Sequence, residues 1–178
     1  MTAQKLVFDM FADHGLAQHI AQCDGVELGE YERRNFPDGE TWLRVTSDCD
    51  GADCVIVAGL HDPNAKTLPL VFLAETLRAN GASSVGLACP YLPYMRQDQA
   101  FQPGEGVTSK YFAALLSNHV DWLVTVDPHL HRHDSLDDVY EIPTTIVESA
   151  TCVSEWSARR DAPPVMISPN AEREQPLQ

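Results

Sequence analysis

The sequence predicts an α/β protein with a mostly parallel sheet and helices on both faces, three layers in the order α/β/α. Short apolar runs recur at Leu6-Val7-Phe8, Cys54-Val55-Ile56-Val57-Ala58, residues 85–89 and Trp122–Val126. The middle runs are continuously apolar rather than alternating, as befits strands covered on both faces of a parallel sheet. Stretches with helical spacing lie between them, and that alternation argues a layered domain.

Leu6-Val7-Phe8 suits a first strand. Residues 15–23, with Leu16 and Ile20, read as a short helix ending near Asp24-Gly25. Residues 26–33 and Thr41–Val45 read as strands around Pro37-Asp38-Gly39. Proline presets φ and glycine tolerates φ > 0, so that tripeptide makes a turn and the pair makes a β-arm near residues 30–45. After the run at Cys54, a helix carries Leu70, Leu73, Ala74 and Leu77 on one face and stops at Asn80-Gly81. Residues 85–89 form the next strand, closed by Pro90. A loop rich in Pro, Tyr, Gly and charge follows, from Tyr91 to about Val107. Residues 109–118 read as a helix burying Phe112, Leu115 and Leu116, capped by Thr108 or Ser109. Trp122–Val126 reads as a third buried strand, residues 144–159 as a helix, and residues 165–168 as a last strand.

With 26 Asp and Glu against 12 Lys and Arg, the formal net charge is −14. Nucleic acid needs a basic footprint, so general binding to DNA or RNA is excluded as an expectation. Any phosphate must be held locally, by Arg, Lys, backbone N–H groups or a metal. The five cysteines include no C-x-x-C pair, so neither a zinc site nor a disulfide framework is indicated. No signal peptide and no apolar stretch of membrane-spanning length is present, and the expected compartment is the cytoplasm.

Ligands of open parallel sheets bind beyond the carboxyl ends of the strands. Three such ends carry polar groups: Arg96-Gln97-Asp98, Asp127-Pro128-His129 and Ser168-Pro169-Asn170. Arg96 offers a planar cation, and His129 a metal ligand or proton acceptor. Each reads as an ordinary loop when taken alone; their common direction makes them a candidate site. His129, His131 and His133 alternate, but one row of a strand rarely supplies a tetrahedral zinc site. Gly104-Glu105-Gly106 lacks the continuation of a dinucleotide or phosphate loop.

These segments resemble the N-terminal half of ribose-phosphate pyrophosphokinases, the phosphoribosyl pyrophosphate (PRPP) synthetases. Asn35-Phe36-Pro37-Asp38-Gly39-Glu40 is similar to their F-P-D-G-E arm. The nine residues from Pro90 to Asp98 are similar to P-Y-x-P-Y-x-R-Q-D, and Thr125-Val126-Asp127-Pro128-His129 to T-V-D-x-H. Ser168-Pro169-Asn170 sits where the family has S-P-D or G-P-D.

The resemblance implies a phosphoribosyltransferase-like fold. It also implies a reaction, transfer of the β,γ-diphosphoryl group of ATP to ribose 5-phosphate to give PRPP and AMP, with magnesium neutralising the phosphates. Phe36, Asp38, Glu40, Arg96, Gln97 and Asp98 are thereby ATP-binding candidates, with the arm reaching a neighbouring subunit. His129 becomes the catalytic-site residue and a magnesium ligand. Asn170 stands in for the family's metal-binding aspartate, and an uncharged amide is a weaker magnesium ligand. The expected organisation is an N-terminal domain over residues 1–165 and the start of an incomplete second domain over 166–178, in a self-associating chain or one that pairs with longer homologues. A non-catalytic nucleotide-binding or scaffold partner of full-length synthetases is the alternative reading, and an unrelated α/β nucleotide-binding domain is a third.

Overall fold

A computed structural model describes residues 3–11 and 15–159. A compact unit covers residues 1–147, and residues 148–178 form a second one. Within the first, six strands make one sheet in which every neighbouring pair is parallel. They are β1 (Lys5–Met10), β2 (Val26–Leu28), β5 (Asp53–Ala58), β6 (Ser84–Cys89), β7 (Trp122–Val126) and β8 (Thr144–Val147), in the order β2-β1-β5-β6-β7-β8. Strands β3 (Tyr31–Asn35) and β4 (Thr41–Val45) pair antiparallel, apart from that sheet, as the expected arm.

The sheet is covered on two faces because side chains alternate along each strand. Leu6, Phe8 and Met10 of β1 and Cys54, Ile56 and Ala58 of β5 point one way. There they join Leu70, Leu73, Ala74 and Leu77 of α2 (Pro63–Ala79) and Phe112, Ala113 and Leu116 of α3 (Thr108–Ser117). Val7 and Val57 point the other way, against Ala17 of α1 (Leu16–Ile20). The three-layer arrangement and parallel sheet agree with the sequence. Pro63 opens α2 at a position where a missing N–H costs nothing, and Asn80 and Gly81 (φ 92°) close it.

Four expectations are corrected. The strand expected over 26–33 is two strands. It breaks at Gly29, where a Cβ would lie 2.4 Å from the ring of Phe8. That glycine lets the chain pass the aromatic ring, so β2 stays on the main sheet and β3 leaves it. The helix expected from Thr144 starts at Ser149, as α4 (Ser149–Ala158). Thr144, Thr145, Ile146 and Val147 are all β-branched and extend as β8 beside β7. Strand β7 is not buried on both faces: Leu123 and Thr125 are buried, whereas Trp122, Val124 and Val126 are half-buried. Leu115, expected in the core, is exposed on α3. The strand expected over 165–168, and Asn170, lie outside the described residues.

Candidate active site at the carboxyl edge of the sheet

Among the described residues, four non-glycine residues have positive φ: Phe11 (76°), Asp62 (56°), Tyr94 (62°) and Asp127 (39°). Each follows the carboxyl end of a strand, β1, β5, β6 and β7 in turn. Such conformations cost roughly 1–3 kcal/mol each and collect where function holds the chain in place. The sequence pointed to the ends of β6 and β7. It missed the ends of β1 and β5, where the strand order reverses and a doubly wound sheet opens a crevice.

The loop after β6 is pinned at intervals. Leu92 and Met95 are buried, and the carboxylate of Asp98 is sealed from solvent. Tyr94 stacks on Phe112 at 4.8 Å and its hydroxyl donates to the side-chain oxygen of Asn64. Arg96 lies between these anchors and is exposed. Gln97 donates to the carbonyl oxygen of Gln99 (3.2 Å) and to Glu105 (3.4 Å). Glu105 also accepts the backbone N–H groups of Phe101 and Gln102, which shapes the rest of the loop. The fixed backbone therefore presents the Arg96 guanidinium outward.

Asp98, predicted to bind nucleotide, has a protein partner. Arg132 donates to both of its carboxylate oxygens, at 2.8 and 3.1 Å, and lies over the Phe101 ring at 5.4 Å. Sequence reading missed Arg132, which no local pattern connects to a residue thirty-four positions earlier. The bridge fastens the loop after β6 to the loop after β7. The latter carries Asp127 and half-buried His129, whose ring meets that of His131 edge-on at 4.2 Å. His133 holds a buried Nε2 with no hydrogen-bond partner.

The arm displays its turn to solvent. Phe36 donates its N–H to Glu40 (2.7 Å), Gly39 donates to Phe36 (2.9 Å), and the Asp38 carboxylate accepts the Glu40 N–H (3.2 Å). Gly39 has φ 93°, a conformation that favours glycine. Phe36 remains 42% exposed, with Arg34 over its ring at 5.6 Å and over Trp42 at 4.8 Å. A large aromatic presented this way has a face available for stacking. Between the arm and α2 lies a cleft of about 600 Å³ lined by Arg33, Asn35, Glu40, Thr41 and Asn64, among others.

Among the described residues, no group of three His, Cys, Asp or Glu side chains is disposed to hold a metal. The side chains described at this edge therefore form no cage for an ion; magnesium is commonly held through one or two protein ligands, with water and phosphate oxygens completing its shell.

A doubly wound α/β sheet with polar loops gathered at its carboxyl edge belongs to the class of domains that take their ligands in that crevice. The family described as the N-terminal domain of ribose phosphate pyrophosphokinase matches residues 5–119, and the chain belongs to it. It is similar to the ribose-phosphate pyrophosphokinase of Methanobrevibacter smithii, with 31% identity over 89% of this chain and 53% of the relative. The ribose-phosphate pyrophosphokinase of Methanopyrus kandleri is 34% identical over 82% of this chain and 49% of its own length. The crystal structure of phosphoribosylpyrophosphate synthetase from Mycobacterium smegmatis shares the fold, with a TM-score of 0.77 and 22% identity over 86% of this chain and 51% of that one. The chain spans about half the length of these relatives.

Proposed function

We propose that the chain supplies the nucleotide side of a PRPP-forming active site. In that reaction the β,γ-diphosphoryl group of ATP passes to the anomeric hydroxyl of ribose 5-phosphate, leaving AMP. The observation that carries this reading is the Asp98–Arg132 bridge, which joins the loop presenting Arg96 to the loop presenting His129 on one edge of the sheet. Arg96, planar and exposed, covers one face of the adenine and reaches toward the phosphates, with Gln97 beside it. Phe36 from the arm of a second subunit stacks on the other face, and Asp38 and Glu40 of that arm hydrogen-bond the adenine edge. Asp98 acts through Arg132 to position this segment.

His129 contacts the magnesium that accompanies the nucleotide phosphates. That ion supplies charge neutralisation. The chain's own residues orient the nucleotide, which is most of what phosphoryl-type transfer asks of a protein. Asn170 is proposed as a further, weaker contact. Because the arm serves a neighbouring site, the working form is an oligomer.

The test is calorimetric titration of ATP with magnesium into the full chain and into Phe36→Ala and Arg96→Ala, alongside an AMP-release assay with ribose 5-phosphate. Each substitution is expected to weaken ATP binding about tenfold or more, corresponding to roughly 1.4 kcal/mol. Unchanged ATP affinity in both variants would sink the reading.

A further inference from the structure

We propose that Tyr94 and Asn64 are positioning residues for nucleotide binding: the bond between them holds the chain just before Arg96, so that the guanidinium is presented in one direction. The proposal rests on the reading of Arg96 as a nucleotide contact. The Tyr94 hydroxyl donates to the side-chain oxygen of Asn64, in the first turn of α2. The Tyr94 ring lies against Phe112 of α3, with centroids 4.8 Å apart and planes 42° apart. One side chain is thus gripped at its ring by one helix and at its tip by another.

Both helices are fixed. Leu70, Leu73, Ala74 and Leu77 of α2 and Phe112, Ala113 and Leu116 of α3 are buried in the same core. The grip therefore ties the loop to the packed body of the domain rather than to another loop. Met95, the next residue, is 1% exposed in that core, and Arg96 follows it into solvent.

Local backbone preference does not account for this path. Tyr94 has φ 62°, a region that aromatic residues rarely adopt and that glycine takes without strain. Such a conformation persists where surrounding contacts over-determine it. Here those contacts are the ring against Phe112, the hydroxyl on Asn64 and the burial of Met95. The backbone suits glycine, so what the position gains from tyrosine is the side chain and its two contacts.

Two clamps flank Arg96 at equal spacing. Tyr94 bonds to α2 two residues before it, and Asp98 bonds to Arg132 two residues after it. With the second clamp alone the segment can pivot about Asp98, and Arg96 must be ordered each time a nucleotide binds. Ordering backbone and a long side chain at that moment subtracts from affinity, so a clamp made beforehand raises it. The Tyr94–Asn64 bond is itself exposed, so its loss does little to the fold and acts on the segment it holds.

The test is calorimetric titration of ATP with magnesium into the full chain and a cycle of Tyr94→Phe and Arg96→Ala, with a thermal melt of each protein. Tyr94→Phe keeps the ring and removes the hydroxyl. It is expected to weaken ATP binding about fivefold while the melting temperature stays within about 3 °C of wild type. In the Arg96→Ala background the same change is expected to have no further effect, because a positioning residue acts through the residue it positions. Asn64 also lines the cleft beside the arm, so Asn64→Ala is read in combination: Tyr94→Phe/Asn64→Ala is expected to bind ATP no more weakly than Asn64→Ala. Wild-type affinity in Tyr94→Phe, with Arg96→Ala weakened, overturns this proposal alone and leaves Tyr94 a purely structural role. A fivefold loss that persists in the Arg96→Ala background overturns it too. Unchanged affinity in Arg96→Ala removes the nucleotide reading itself, and this proposal with it.

Discussion

The guanidinium of Arg132 donates to both carboxylate oxygens of Asp98, at 2.8 and 3.1 Å, and ties together the loops that follow β6 and β7. Asp98 is sealed from solvent while Arg132 is about half exposed, so the bridge is neither a surface pair nor a fully buried one. Removing the arginine strands a desolvated carboxylate. Arg132→Ala is expected to destabilise the chain by about 2 kcal/mol, less than the full penalty for breaking a wholly buried pair. Arg132→Lys restores the charge without the planar geometry and is expected to recover about half. Urea denaturation of the three proteins checks this, and equal stability of Arg132→Ala and wild type would remove the bridge from any structural role.

Phe36 behaves in the opposite way. It is exposed at the tip of the arm, and its backbone bonds to Glu40 and Gly39 do not need the ring. Phe36→Ala is expected to leave stability within about 0.5 kcal/mol of wild type while weakening nucleotide binding. A thermal melt beside the ATP titration separates these two effects.

Gly86 on β6 faces Trp122 on β7, and a Cβ there would lie 2.0 Å from the indole ring. Gly86→Ala is expected to cost about 2–3 kcal/mol through overpacking. A lowered melting temperature checks it, and Gly86→Ala/Trp122→Leu should recover much of the loss.

The buried thiol of Cys54 is pushed up to about 12, chiefly by desolvation and then by Cys49 beside it. Burial raises Tyr31, Tyr140 and Cys49 in the same direction. The unfolded chain therefore releases these protons first. The stabilisation is fully present below the ordinary thiol value of 9.0 and is lost as pH rises toward 12. For Cys54 alone the slope is about 1.4 kcal/mol per pH unit. Melting temperatures measured between pH 8 and pH 10.5 should fall, and Cys54→Ala should fall less steeply; parallel curves would refute the assignment.

Much of this was legible in the sequence because the relevant signals are local. Continuous apolar runs marked β5 and β6, and Asn80-Gly81 marked the end of α2. Strand β8 was hidden because four β-branched residues abut a helix, and the boundary between them carries no Gly or Pro. The split between β2 and β3 depends on the Phe8 ring lying against Gly29, a contact between residues far apart in the chain. The same limit explains the site. Arg96 and His129 stand in motifs that can be read along the chain, whereas Arg132 gains its meaning from Asp98, a partner that only the sheet order brings near.

The sheet itself has a kinetic consequence. No two neighbours in the order β2-β1-β5-β6-β7-β8 are joined by a tight hairpin, because parallel strands require crossovers. Strand β1 must find β5 across an intervening arm, so loop-closure entropy is spent before the central contacts form. Among the described residues, the β3–β4 arm is the one pairing that neighbouring residues can make directly, on the microsecond scale of an isolated hairpin. Refolding should therefore be limited by assembly of the central strands, and substitutions in the arm should leave its rate nearly unchanged.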